Sequence, residues 1–221
     1  GPVSNGSTLS FNDNDTYGSN TTYANDITGI LVDNVSGYAT DAGIGITHYL
    51  FTDNSSKVPT STDGDWFSKD NITTTHTFST NSGDNATIVS GDALTLHLWA
   101  KDGFGQVSSA AVASGSITLD NVSPTNDNAS STVSGATYVA SSSRYTVLST
   151  SVTFDPKYSD ALSGVLGYYL TDNYSYTPVL ADFDNSTLTK TGLTKNTNKV
   201  FTLHVLDNAY NLTSDNFTIY P

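Results

Sequence analysis

The segment DAGIGITHYLFTDN at residues 41–54 returns at residues 160–173 as DALSGVLGYYLTDN. The two align without a gap, share Asp, Ala, Gly, Tyr, Thr, Asp and Asn, and are each followed at the same offset by a proline, Pro59 and Pro178. Self-similarity of this kind means that one supersecondary unit has been built twice. It constrains the fold more than any local motif does, because whatever the first half becomes, the second becomes also. In 221 residues each copy has about 100, enough to bury a core without staples.

The sequence around the repeat matches as well. ILVDN at residues 30–34 and VTFDP at 152–156 each carry an Asp, Asp33 or Asp155, before a loop to Asp41 or Asp160 that is three residues longer in the first copy. Ile46, His48 and Leu50 alternate with Thr47, Tyr49 and Phe51, as in a strand, and the exits Asp53-Asn54 and Asp172-Asn173 are turn chemistry. Trp66 in GDWF and Phe183 in ADFDN hold matching places, and TTTHTF at 73–78 and LTKTGL at 188–193 read as short polar edge strands. The best strand of each half is ALTLHLWAKD at 93–102 or VFTLHVLD at 200–207. A Gly- or Asn-containing loop follows, and then SITLD at 116–120 or NFTIY at 216–220. The first twenty-six residues are polar without a sustained period and are expected to form loop with one edge strand at most. Short strands separated by turn signals, with no helical period, predict an all-β chain with one β-sandwich per half. The division falls near Ser123, giving domains of residues 1–122 and 123–221.

Composition agrees and excludes much. All 21 acidic residues are Asp; Asp prefers turns and caps where Glu would favour helix, and Thr, Ser, Tyr and Val are abundant. The missing Glu removes the last ligand of an EF-hand, the HExxH zinc site and the Glu form of a glycosidase acid. With no Cys there are no disulfides and no thiolate zinc sites. The net charge of −13 repels nucleic acid and anionic membrane, which excludes both as partners. The first 122 residues hold 13 Asp against 3 Lys, a charge of −10; the rest hold 8 Asp against 5 Lys and Arg, a charge of −3. No Met occurs, and Gly-Pro at the start matches what a protease leaves behind, so the sequence reads as a piece of a longer chain. It shows no signal peptide and no apolar run long enough for a bilayer, so export or anchoring signals are expected elsewhere in the parent.

From residue 30 onward the order of residues resembles the bacterial immunoglobulin-like repeats, related in shape to fibronectin type III modules, that stand in tandem in large bacterial and archaeal cell-surface proteins. The resemblance rests on a strand ending in Asp and a D-x-x-S-G-hydrophobic loop, here Asp160-Ala-Leu-Ser-Gly-Val and Asp41-Ala-Gly-Ile-Gly-Ile. It continues in an A-x-D-x-x-G-N-like turn, here Ala100-Lys-Asp-Gly-Phe-Gly-Gln and Asp207-Asn-Ala-Tyr-Asn, and in the linker from Ile117 to Pro124. Gln106 stands where the pattern has Asn, Tyr210 where it has Gly, and the second turn is two residues shorter. The resemblance implies two tandem immunoglobulin-like sandwiches in an extracellular, cell-surface protein of adhesin-stalk or S-layer type. Fold-level likeness brings no site with it.

Asp is the chief candidate for chemistry. In such a sandwich the loop after the second strand and the loop between the last two emerge at one end, so Asp33, Asp41 and Asp102 are expected to converge, as are Asp155, Asp160 and Asp207. Ca²⁺ takes six to eight oxygens, which short Asp side chains and loop carbonyls supply; the competing reading is that each Asp closes an Asx-turn on its own backbone. The linker, with Asp120, Asn121, Asn126, Asp127 and Asn128, is a second Ca²⁺ candidate against an ordinary polar hinge. Thirteen of the 20 Asn begin Asn-x-Ser/Thr, and Asp precedes ten of them; these are N-glycan acceptors if the chain is exported, although abundant Ser and Thr produce such matches by chance. Trp66 beside Asp63 and Asp65, and Tyr168, Tyr169, Tyr174 and Tyr176, offer aromatic platforms for sugar, against a packing role. His97 and His204 recur in TLH with side chains expected away from the core, and no GxSxG or comparable nucleophile elbow accompanies them, so no enzyme is expected.

The sequence therefore predicts a non-catalytic stalk, spacer or surface-lattice pair, stabilised by Ca²⁺ on its Asp loops and linker. Its partners would be neighbouring domains of the same chain, surface glycans or other copies. The alternatives are a carbohydrate- or protein-binding module using the loop end or the Trp66 region, and an accessory domain of a secreted hydrolase.

Overall fold

The computed structural model describes residues 1–33, 37–71, 73–78, 87–127, 132–186 and 188–221, except the side chains of Asp33 and Thr73. The chain divides into two compact units, Gly1–Asn121 and Val122–Pro221. Among the described residues strands dominate, and no helix is long and apolar enough to cross a membrane.

In the first unit one sheet runs, neighbour to neighbour, Gly18–Asn20, Phe11–Asp15, Ile30–Asp33 and Thr73–His76. The other runs Tyr23–Ala24, Ala113–Leu119, Ala93–Asp102, Ile46–Thr52 and Phe67–Ser68. The second unit repeats the plan. Val133–Ser134, Val152–Phe154 and Leu188–Lys190 form one sheet; Thr137–Val139, Arg144–Thr146, Leu212–Tyr220, Lys199–Asp207 and Val165–Thr171 form the other. In both, a short early strand joins the last strand in parallel, Tyr23 opposite Thr118 and Tyr145 opposite Ile219, while the other pairings are antiparallel. Two sheets with this order make each unit an immunoglobulin-like β-sandwich.

The cores follow from alternation. Leu94, Leu96, Leu98 and Ala100 line one face of their strand and pack with Ile117, Phe11, Ile30, Val32 and Phe78. In the second unit Phe201, Leu203 and Val205 pack with Phe217, Ile219 and Phe154; the Phe154 ring meets those of Phe201 and Phe217 edge-on at 5.7 and 5.6 Å. Apolar surface of this kind, removed from water at roughly 25 cal/mol per Å², is the main favourable term in each unit.

The expectation of loop at the start of the chain is corrected: Val3–Ser4, Phe11–Asp15, Gly18–Asn20 and Tyr23–Ala24 are strands. Phe11 and Asp13 alternate inward between more exposed residues, a period too short and too polar to read in advance. Val3–Ser4 pairs with Ala39–Thr40 as Thr125–Asn126 pairs with Tyr158–Ser159. Pro2 thus corresponds to Pro124, and both are buried.

Candidate functional site

The repeated residues build one loop end in each unit. In the first, Asp41 Oδ2 accepts the N–H groups of Gly43 and Gly45 at 3.1 and 3.0 Å, and Asp102 Oδ1 accepts those of Phe104 and Gln106 at 2.9 and 2.8 Å. The loops are joined by Gly103 N–H donating to the Gly45 carbonyl at 3.2 Å. In the second unit Asp160 Oδ1 accepts from the N–H groups of Leu162, Ser163 and Gly164. Asp207 Oδ1 accepts from those of Ala209 and Asn211, each at 2.8 Å, and Asn208 N–H reaches the Gly164 carbonyl at 2.9 Å. Asn208 adds its side-chain amide to the carbonyls of Ser163 and Gly164, which Gly103 has no atoms to do. The 102–106 and 207–211 turns are equal in length and bonding, and Leu98 and Leu203 face the repeat-equivalent Phe51 and Leu170, so the shortening expected in the second copy is corrected: there is none, and His204 stands in the place of Trp99 rather than of His97. Gly105 and Tyr210 hold the same left-handed position, φ 81° and 70°.

Burial pushes the Asp160 carboxyl up, but the N–H donors of Gly164, Ser163 and Leu162 and the Ser163 hydroxyl outweigh it and hold it below the usual carboxylate range. All its bonds fall on Oδ1. Asp160 and Asp207 each present a carboxylate oxygen within 4.8 Å of the other, a separation that a cation with oxygen ligands near 2.4 Å spans. The other Asp candidates make these contacts within their own units. Asp155 is exposed and paired with Lys157 at 2.7 Å. Asp120 is fully buried in the first unit, where its N–H donates to the Ala24 carbonyl and Ser90 Oγ lies 3.3 Å from Oδ1. Asp127 belongs to the second unit and accepts from Ser159 Oγ at 2.7 Å. The side chain of Asp33 lies outside the described residues.

Trp66 is held as a piece of its loop. Its indole N–H donates to the Thr60 carbonyl at 2.8 Å, and the Lys101 ammonium lies 4.6 Å from the ring centroid, where the π-face attracts it. Asp63 caps the same loop, its carboxyl held below the usual range by the hydroxyl and N–H of Thr60; Asp65 is exposed. Of the tyrosines, Tyr169 stacks on His204 at 6.1 Å and packs with Tyr176 at 5.5 Å. His204, expected to face away from the core, is on that face yet buried, with Nδ1 2.7 Å from Ser214 Oγ. Its Nε2 is buried with no hydrogen-bond partner among the described residues.

At four acceptors the Asn-x-Ser/Thr pattern is a turn: Oδ1 of Asn5, Asn20, Asn54 and Asn173 accepts the N–H two residues on. This Asx-turn favours Asn before an exposed Ser or Thr whatever its modification. Asn34, Asn85 and Asn128 lie outside the described residues. One cluster escaped the sequence reading. Tyr158 donates to Asp215 Oδ2, and the Asn126 amide donates to both, at 2.9 Å to the Tyr158 oxygen and 3.3 Å to Asp215. Burial and Asp215 push the Tyr158 phenol far up. The repeat carried no signal for it: Asp215 opposite Leu203 stands where the first unit has Ala113 opposite Leu98.

No protein-family model and no curated protein matches the chain. Solved structures do resemble it. Extracellular domains 3–5 of Drosophila OTK align at 10% identity with a TM-score of 0.37, covering 90% of this chain and 57% of that one. This chain therefore spans little more than half of the OTK fragment. A chimeric titin Z1Z2-Z1Z2 tandem aligns at 13% identity and TM-score 0.30, covering 100% of this chain and 98% of that one. A tetra-tandem repeat in the extending region of a large adhesion protein aligns at 16% identity and TM-score 0.23, covering 96% and 47%.

Proposed function

We propose that the chain is a non-catalytic pair of structural modules from a large extracellular surface protein, acting as spacer, stalk or lattice element, with Ca²⁺ held at the Asp-lined loop end of the second unit. One observation carries the reading: the residues that the chain repeats are spent on locking and joining the same two loops in both units, not on opening a cleft. A module that transmits force or sets spacing needs such rigid ends. The Ca²⁺ assignment is supported by the approach of Asp160 and Asp207, whose charges repel each other unless a cation lies between them, and by the excess of 21 Asp over eight basic residues. Export is supported by the acceptor tripeptides. At Asn54 and Asn173, repeat-equivalent positions, Oδ1 is engaged in the turn and no described group binds the amide nitrogen.

The test is thermal unfolding in EDTA and then in millimolar CaCl₂. A cation binding only the folded state at a hundred times its Kd adds about 2.7 kcal/mol. A rise that Asp160→Ala abolishes supports the site; an unchanged transition removes Ca²⁺ and leaves a metal-free spacer.

A further inference from the structure

The two units differ in chemistry where their sheets part, at the end of each sandwich away from the repeated Asp loops. In the first unit Leu94 and Phe78, 2% and 1% exposed, face inward there, and the His76 ring meets Phe78 edge-on at 5.0 Å. The register supplies the counterparts in the second unit. Leu203 holds the place of Leu98, so Lys199 holds that of Leu94; Val152 pairs with Lys190 as Ile30 pairs with His76. Side chains two apart on a strand share a face. Lys199 is therefore on the face of Phe201 and Leu203, and Lys190 on that of Leu188, all of which pack in the core. Two lysines, one from each sheet, thus point into the space between the sheets where the first unit places apolar side chains.

That space is a pocket of about 380 Å³, within the range of small-molecule sites, about 300–1,000 Å³. Leu193 and Phe201 give it an apolar floor, and Thr191, Thr194 and Asn198 an exposed polar rim. Asp172 is the acid of the lining. Its carboxylate lies 2.7 Å from the Lys199 ammonium, which, with a weaker pull from Lys190, holds it below the usual carboxylate range. The Lys190 ammonium makes no hydrogen bond or close ion pair with a described residue, and the hydroxyls of Thr191 and Thr194 and the Asn198 amide are likewise free among them. Two ammoniums against one carboxylate leave a positive charge inside a chain whose net charge is −13.

We propose that this pocket binds a carboxylated sugar, with its carboxylate on Lys190, its hydroxyls on Thr191, Thr194 and Asn198, and a C–H face toward Leu193. A monocarboxylate balances the pocket. A phosphate monoester, at about −1.5 to −2 near neutral pH, would leave excess negative charge beside Asp172. The rim supplies both donors and acceptors, as hydroxyl groups require. The inference rests on neither the spacer reading nor Ca²⁺.

The experiment is a titration of the isotope-labelled whole chain, in EDTA, followed by amide chemical shifts. The probes are glucuronate, galacturonate and N-acetylneuraminate, compared with glucose, inorganic phosphate and N-acetylglutamate amide. At least one acidic sugar should shift the signals of residues 190–199 saturably, with glucose weaker by about tenfold or more. Lys190→Gln should weaken the binding about tenfold or more, and Lys190→Arg should retain it. Since the Lys190 ammonium bonds to no described group, its replacement should leave the fold in place, and the same spectra report that fold; if Lys190→Gln unfolds, Lys199→Gln carries the same test. The proposal is overturned if no acidic sugar moves these signals or if the charge-removing variant binds undiminished. It is also overturned if phosphate or the glutamate derivative binds as tightly as the sugars, which would make the pocket a general anion site.

Discussion

Asp207 shows what a single residue contributes here. It is fully buried, and its two oxygens hold the Ala209 and Asn211 N–H groups and the Asn211 side-chain amide. A buried donor left without its acceptor costs about 1–3 kcal/mol, so Asp207→Ala, which strands two backbone donors, should lower the unfolding free energy by about 2–4 kcal/mol in urea titrations followed by far-UV circular dichroism. Asp207→Asn retains Oδ1 and should lose less than half as much; equal losses would mean that the negative charge, not the acceptor geometry, holds the turn. The same residue illustrates what a sequence hides. That Asp207 lies in a turn follows from its neighbours, but whether its lone pairs go to backbone N–H groups or to a cation depends on angles that no spacing encodes. Trp66 is similar: the aromatic beside two acids looked like a platform, and only the Lys101 ammonium over its ring and the Thr60 carbonyl on its N–H make it part of the loop.

Among the elements, the strand Lys199–Asp207 is buried on both faces from Phe201 onward, and His204 is its titratable member. Burial holds the imidazole below its ordinary range, so the unfolded chain takes up a proton first, near pH 6.5. His204 therefore contributes its full stability above about pH 6.5, and that contribution is lost as pH falls toward the folded value. Thermal melts between pH 7.5 and 5 should show a decline in midpoint that His204→Gln reduces; an unaltered slope would assign the acid sensitivity elsewhere, including to His76, which burial lowers likewise against the opposing pull of Asp53. Elements of this kind were legible because they are long and alternate cleanly: Ala93–Asp102, Ile46–Thr52 and their counterparts follow from period two, and the edge positions of Thr73–His76 and Leu188–Lys190 follow from their polarity. The early strands were not, because two- and three-residue strands such as Tyr23–Ala24 are made by pairing with the last strand rather than by their own composition. The burial of His204 was hidden for the same reason, since the outward face of a strand is covered only when neighbours such as Tyr169 close over it.

At the level of the whole molecule, charge is distributed unevenly between two sandwiches of one topology. The unit Gly1–Asn121 carries 13 Asp against 3 Lys, and Val122–Pro221 carries 8 Asp against 5 Lys and Arg. Like charges on a compact body repel more than on an extended chain, so the first unit bears the greater self-repulsion when folded. Raising NaCl from about 10 to 150 mM shortens the Debye length from about 30 to 8 Å and screens exposed pairs beyond that reach. Both tryptophans, Trp66 and Trp99, lie in the first unit, so indole fluorescence reports its unfolding alone while far-UV circular dichroism reports both units. Salt should therefore raise the fluorescence midpoint more than the dichroism midpoint, and Ca²⁺ at the second unit should do the reverse. Equal salt shifts in the two signals would show that net charge does not distinguish the units, and a Ca²⁺ shift confined to fluorescence would move the cation from Asp160 and Asp207 to the loop end at Asp41 and Asp102. The two titrations thus separate screening, which acts on the sum of the charges, from coordination, which acts only where oxygens converge.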